Sequence, residues 1–176
     1  FLSVDCYVPY SYNAYYNIKE LGEICDYVVI MCYDEHYAGS EEAGSVSSLS
    51  YVERGIDESA AKMDKNRVII ALPFYTRVWI TDANGKLRSE ALSITKAKEW
   101  ITEKNVPLEW KEDIGQYYGV IQDGNEKKEI WMEDEKSMEA KISLLREKGI
   151  QGVAAWKLGQ EPEGFWSILN LEEKAS

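Results

Sequence analysis

The sequence predicts an α/β fold of about four βα units, half the complement of a (β/α)8 TIM barrel, with a small α+β insertion before the last strand. Three observations predict it. Four apolar runs, Leu2 to Val8, Tyr27 to Cys32, Arg67 to Phe74 and Gly152 to Trp156, have the length and composition of strands buried on both faces. Helical patterns lie between most of them, and strands alternating with amphipathic helices imply a parallel sheet with right-handed crossovers. The second run, Tyr27-Val-Val-Ile-Met-Cys-Tyr-Asp-Glu-His36, breaks off in a tyrosine and two carboxylates. Such residues fit only where a buried strand leaves the core, and the carboxyl end of a parallel strand is where α/β proteins place their sites.

In chain order, residues 16–25 form a short, weak helical candidate leading into the second strand. Residues 54–65 (Arg-Gly-Ile-Asp-Glu-Ser-Ala-Ala-Lys-Met…) predict a helix between the second and third strands. The third connection breaks the pattern because it is far longer than a crossover helix needs. Within it lie an Asn84-Gly85 turn, a helix near Ser93 to Lys104, and two β-like runs, Gly115 to Gln122 and Lys127 to Met132, joined at Asp123-Gly-Asn125. Beyond it, Met138, Ile142 and Leu145 fall at i, i+4 and i+7 of a helix that starts with Ser137 as N-cap and stops at Gly149. The expected organisation is therefore 1–77 barrel units, 78–132 insertion, and 133–176 last helix, last strand and C-terminal segment. A barrel of this kind usually takes roughly 250 residues.

Composition narrows the function. Among 176 residues, 31 are acidic and 20 basic, a net charge of −11 that argues against a nucleic-acid partner. No apolar run approaches the roughly 20 residues that cross a bilayer, so no membrane span is expected. Six Trp and twelve Tyr are more rings than a core of this size needs. Exposed rings serve as platforms for planar or sugar ligands, and core packing remains the alternative. Cys6, Cys25 and Cys32 are odd in number and form no CxxC pair, so they read as small buried hydrophobes rather than a disulfide framework or zinc site. His36 is the only histidine and makes a poor metal site; a hydrogen-bonded loop residue is expected. The chain opens at Phe1 and enters a strand almost at once, as a cut through a larger domain would.

Four motifs in one order carry a family resemblance. Met31-Cys-Tyr-Asp34 resembles the M-x-Y-D motif of glycoside hydrolase family 18. Leu72-Pro-Phe-Tyr-Thr-Arg77 with Trp79 is similar to that family's G-I-P-x-Y-G-R-x-W strand end, and Gly152-Val-Ala-Ala-Trp156 to its final strand. Ile130-Trp-Met-Glu-Asp-Glu-Lys-Ser137 with Lys141, then Leu158-Gly-Gln-Glu161, resembles the bacterial branch acting on spore cortex and cell-wall glycans. The resemblance implies the C-terminal half of the catalytic barrel, strands five to eight. The family's D-x-x-D-x-D-x-E signature, source of its general acid, occurs nowhere in these residues, so the isolated chain is expected to be inactive.

In such enzymes the substrate's own acetamido oxygen is the nucleophile, an exception to the two-carboxylate scheme, and no metal or organic cofactor is implied. The resemblance makes Tyr33 the phenol that aims the acetamido group and stabilises the oxazolinium ion. Asp34 would accept from sugar hydroxyls or the acetamido N–H, Trp156 would stack beneath the sugar, and Tyr75 and Arg77 would shape the wall. It implies cleavage of β-1,4 bonds at N-acetylglucosamine in peptidoglycan or chitin, and hence an extracellular, cell-wall or spore location. A catalytically silent, sugar-binding protein of the same fold is the alternative.

Simpler roles stand beside these. Tyr33 and Asp34 could be a strand-end tyrosine and a helix cap, Arg77 an ion-pair partner, and Trp79, Trp131 and Trp156 core. Glu35 next to Asp34 invites an acid role, but neighbours on an extended strand end point to opposite sides. The run Glu133-Asp-Glu135 is expected to be a solvated helix approach, favoured by the helix dipole. A half-barrel exposes sheet edges and an apolar face, so self-association of the isolated chain is expected.

Overall fold

The computed structural model describes residues 1–162 and 164–169; the expected C-terminal segment past residue 169 lies outside the described residues. Two sheets share one core. The first is parallel, with strands β1 (Ser3–Tyr7), β2 (Tyr27–Met31), β3 (Val68–Pro73) and β9 (Gly152–Trp156) in the order β1-β2-β3-β9. Its apolar runs fall where the sequence places them, and the sheet is open, not closed. Helices α1 (Ile18–Ile24), α2 (Leu49–Ala60) and α4 (Glu135–Lys148) connect or flank these strands, and a short α5 (Phe165–Leu169) follows β9.

The second sheet is antiparallel and contains three strands the sequence reading does not separate. Its order is β5-β4-β8-β7-β6, built from β4 (Tyr75–Thr81), β5 (Leu87–Ser93), β6 (Leu108–Lys111), β7 (Gln116–Asp123) and β8 (Glu126–Met132), with α3 (Ile94–Lys104) between β5 and β6. Strand β4 starts one residue after β3 ends, so Phe74 alone separates the sheets. The two are packed into a single apolar cluster in which Ile30, Ile70 and Leu72 of the parallel sheet meet Val78, Ile130 and Met132 of the antiparallel one. Cys6, Cys25 and Cys32 are buried free thiols, and burial lifts the Cys6 thiol to about 11.

Helix ends explain two boundary differences. Helix α2 begins at Leu49, five residues before the expected start, because the Ser48 side chain accepts from Tyr51 N and caps it. Helix α4 is capped by Asp134, with Ser137 as the reciprocal partner of a capping box rather than the cap itself. The largest correction concerns Glu133, which is not solvated but fully buried. Lys141, equally buried, donates to both Glu133 oxygens at 2.7 Å, and Ser137 Oγ and Gln116 Nε2 donate as well. Burial pushes the Glu133 carboxyl above its ordinary range, against the pull of Lys141 and Ser137.

Gly149 ends α4 in the left-handed region at φ 73°, its N–H bonded to the carbonyls of Leu145 and Arg146. A Cβ there would lie 2.6 Å from Lys65 Nζ, the flexible end of a side chain. Gly149→Ala is expected to cost about 1–2 kcal/mol, mainly through backbone strain, read as a lower urea midpoint with unchanged slope.

Candidate active-site edge

The parallel register brings the candidate residues to one end of the sheet. Met31 pairs with Ala71, and Pro73 with Trp156. Cys32 N donates to Ala71 O at 2.9 Å and Phe74 N to Trp156 O at 2.7 Å, which extends the ladder to the last residues before each strand leaves the core. Tyr33 and Asp34 project after β2, Tyr75 just after β3, and Trp156 ends β9. Trp156 is 56% exposed, a ring standing clear of the core.

Asp34 sits at φ 57°, a left-handed conformation that only a few residue types adopt readily. This turn places its carboxylate over Tyr75, whose hydroxyl donates to Asp34 Oδ1 at 2.6 Å. The chain is therefore not extended at Asp34, contrary to the geometry assumed for it and Glu35. The Tyr33 and Tyr75 rings meet edge to face, centroids 6.3 Å apart. Burial, then the hydrogen bond to Asp34, holds the Tyr75 phenol well above the tyrosine range, with Arg77 pulling the other way. Burial, followed by the charges of Asp5 and Asp34, raises the Tyr33 phenol. Both phenols thus remain protonated, and a protonated phenol can donate.

Arg77 lies on β4, its Nη1 donating to Ser89 Oγ at 3.1 Å. Its buried Nε has no partner among the described residues, and no carboxylate pairs with it there, so the ion-pair reading does not hold for those residues. Trp79 is core: it is 1% exposed and donates its indole N–H to Gly44 O.

The loop after the site is tied down from several directions. Glu35 does not face the edge; its two oxygens accept from Ser48 N at 2.7 Å and Ser48 Oγ at 3.0 Å, so it holds the start of α2. His36 Nδ1 donates to Ser45 O at 2.9 Å, the hydrogen-bonded loop histidine expected. Ser47 Oγ donates to the Cys32 carbonyl, immediately before Tyr33, at 2.6 Å. Ser45 Oγ accepts from Ser47 N and donates to Gln116 Oε1, and Gln116 Nε2 donates to Glu133, which also accepts from Lys141. A buried polar chain thus runs from α4 through the antiparallel sheet to the backbone beside Tyr33.

The family profile described as Glycosyl hydrolases family 18 matches residues 2–161. The chain belongs to glycosyl hydrolase family 18. Among family 18 relatives and neighbours, the cortical fragment-lytic enzyme of Bacillus subtilis (strain 168) is 26% identical over 166 residues, 93% of this chain and 37% of that protein. The uncharacterized glycosylase YvbX of the same organism is 29% identical over 160 residues, 90% of this chain and 46% of its own length. The crystal structure of the Bacillus cereus spore cortex-lytic enzyme SleL superposes with a TM-score of 0.84 at 25% identity, covering 95% of this chain and 39% of that one. The chain therefore spans between a third and a half of these relatives. A chitinase from Chromobacterium violaceum, at 18% identity and TM-score 0.84, shares the α/β fold.

Within this family 18 chain, Tyr33, Asp34, Tyr75 and Trp156 share one sheet end, while Arg77 is set back on β4. Two residues at that end escaped the sequence reading. Asp5 and Tyr7 lie on β1, both exposed, alternating with buried Cys6. Asp5 is close enough to raise the Tyr33 phenol. The signal was available: period-2 alternation in Ser3-Val-Asp-Cys-Tyr7 puts Asp5 and Tyr7 on one face.

Proposed function

We propose that the chain is the C-terminal half of a family 18 (β/α)8 barrel whose parent protein cleaves β-1,4 bonds next to N-acetylglucosamine. The observation that carries this is the clustering of Tyr33, Asp34, Tyr75 and Trp156 at the carboxyl end of adjacent parallel strands, with Tyr75 hydrogen-bonded to Asp34. The Tyr33 phenol donates to the acetamido oxygen and aims it at the anomeric carbon; that oxygen bonds to the anomeric carbon as the glycosidic C–O bond breaks, and the leaving oxygen takes its proton from a general acid supplied outside these residues. Asp34, its carboxylate held by Tyr75, accepts from the acetamido N–H or a hydroxyl. Trp156 provides the floor beneath the sugar, and Tyr75 with Arg77 the wall.

Peptidoglycan, spore cortex in particular, is favoured over chitin because relatives at 24–26% identity are named cortical fragment-lytic enzymes. This substrate implies action outside the cell or at the spore. The proton donor comes from outside these residues, since D-x-x-D-x-D-x-E is absent from them. That same absence favours the second reading, a sugar-binding protein without hydrolysis. The test is to incubate the full-length parent with cortex glycan and with N-acetylglucosamine oligomers and follow the anomer released. Retained configuration supports substrate-assisted hydrolysis; tight binding without cleavage supports the second reading.

Trp156→Ala is expected to weaken oligomer binding by roughly 1–3 kcal/mol, from the lost ring burial and stacking. Isothermal titration of a variant with native circular dichroism checks this, and unchanged affinity would remove Trp156 from the site. The isolated chain, with β1 and β9 as open sheet edges, is expected to self-associate, which light scattering would detect.

A further inference from the structure

We propose that Glu35 and Ser47 are positioning residues of the glycosidase site: they clamp the backbone on either side of Tyr33 and Asp34 and so fix where the phenol and the carboxylate stand. The proposal rests on the reading of the Tyr33–Trp156 edge as a sugar site. Among the described residues no backbone hydrogen bond involves Tyr33 or Asp34, and Asp34 stands at φ 57°. A residue other than glycine stays in that region only where its surroundings over-determine it. Here they do so from both sides. Before the pair, Cys32 N donates to Ala71 O at 2.9 Å and Ser47 Oγ donates to Cys32 O at 2.6 Å. After it, Glu35 N donates to Val46 O at 2.9 Å, and the Glu35 carboxylate accepts from Ser48 N at 2.7 Å and Ser48 Oγ at 3.0 Å. Tyr33 and Asp34 are all that lies between the anchors, so the turn cannot relax without breaking one of them.

The anchors are themselves rigid. Ser47 and Ser48 are both buried, and Ser48 Oγ also accepts from Tyr51 N at 3.1 Å as the cap of α2. That helix lies directly against the turn: a Cβ added at Gly55 would come within 2.5 Å of Cys32 Sγ, so the close approach requires glycine. Ser47 N is tied through Ser45 and Gln116 to the buried Glu133–Lys141 pair. Ser48 already caps α2, so the second tie, from a carboxylate 13 residues away in sequence, serves the turn that carries Asp34. With both oxygens engaged by Ser48, Glu35 acts on the reaction only through its neighbours. Asp34 Oδ1 meets the Tyr75 hydroxyl at 2.6 Å only while the turn holds; released, Asp34 returns to an extended backbone and swings its carboxylate away, and Tyr33 turns with it. Misplacement by about 1 Å can cost a catalytic group roughly 10²-fold in rate.

The experiment compares Glu35→Ala, Glu35→Gln and Ser47→Ala in the full-length protein, by steady-state kinetics on a defined N-acetylglucosamine oligomer across pH, each variant first shown folded by circular dichroism. Glu35→Ala is expected to lower kcat/KM by roughly tenfold to a hundredfold. Glu35→Gln keeps an oxygen for Ser48 and should restore most of the loss with the parent's pH profile. If the glutamine variant is as impaired as the alanine one and lacks a limb of the profile, Glu35 is an acid or base and the proposal falls. In an Asp34→Ala background Glu35→Ala should cost much less than it does alone, because its effect travels through that residue; equal costs would make the effect a global one and overturn the proposal. Ser47→Ala, which leaves Glu35 in place, is the independent probe should Glu35→Ala not fold, and activity equal to the parent's in either folded variant refutes the clamp. If the parent binds the oligomer without cleaving it, hydrolysis fails as its function and the same comparisons are read in oligomer affinity. A parent that neither cleaves nor binds overturns the sugar site and the clamp together.

Discussion

Lys141→Ala is expected to destabilise the fold by about 3–5 kcal/mol, because it strips the counter-charge from a carboxylate that cannot reach water. Glu133 and Lys141 are both completely buried and joined by two contacts of 2.7 Å. Removing both charges should cost far less: a Glu133→Leu/Lys141→Met variant replaces the pair by apolar groups and is expected to recover most of the loss, apart from the orphaned Gln116 and Ser137 groups. Urea denaturation of the single and double variants measures the coupling directly. Equal stability of Lys141→Ala and the parent would mean that water reaches the pair. The same network ends at the Cys32 carbonyl, so the single variant should also loosen the loop carrying Asp34 and Glu35. Faster amide exchange across 35–48 would register this.

Tyr33→Phe is expected to lower kcat of the parent glycosidase by about 10²-fold while leaving substrate affinity near its original value. The change deletes the hydroxyl proposed to aim the acetamido oxygen at the anomeric carbon, and a bound but misaligned nucleophile loses rate rather than affinity, by about 10²-fold for a displacement near 1 Å. The ring stays, so its edge contact with Tyr75 at 6.3 Å persists and the fold should be unaffected. A fall in affinity with kcat intact would make Tyr33 a ground-state contact instead. Steady-state kinetics on a defined oligomer distinguishes the two.

The parallel strands were legible because strands buried on both faces leave uninterrupted apolar runs, and Tyr27 to Met31 is one. The antiparallel sheet was only half legible. Strand β5, Leu87–Ser93, is an edge strand that carries Arg88, Ser89 and Glu90 and has no fully buried residue, and β6 is four residues long; neither offers a clear hydrophobic pattern. Strand β4 was hidden by its closeness to β3. At the candidate site, residue types at strand ends were visible, but the left-handed turn at Asp34 and its bond to Tyr75 depend on tertiary placement. Glu133 was misread because an acidic run before a helix ordinarily faces solvent. The contrary signal was Lys141, three residues after Met138 and one before Ile142, a charge within the apolar stripe of α4. A buried cation needs a partner, and the only open question was which carboxylate supplied it.

Because a single residue, Phe74, joins the parallel sheet to the antiparallel one, the second sheet is not a detachable module. Tyr75 belongs to both: it opens β4 and its hydroxyl holds Asp34. Attempts to shrink this protein, or to graft its site onto a plainer barrel, must carry the segment from Tyr75 through Met132 as one inheritance. A shortcut that spliced β3 directly to α4 would discard the tyrosine together with the sheet.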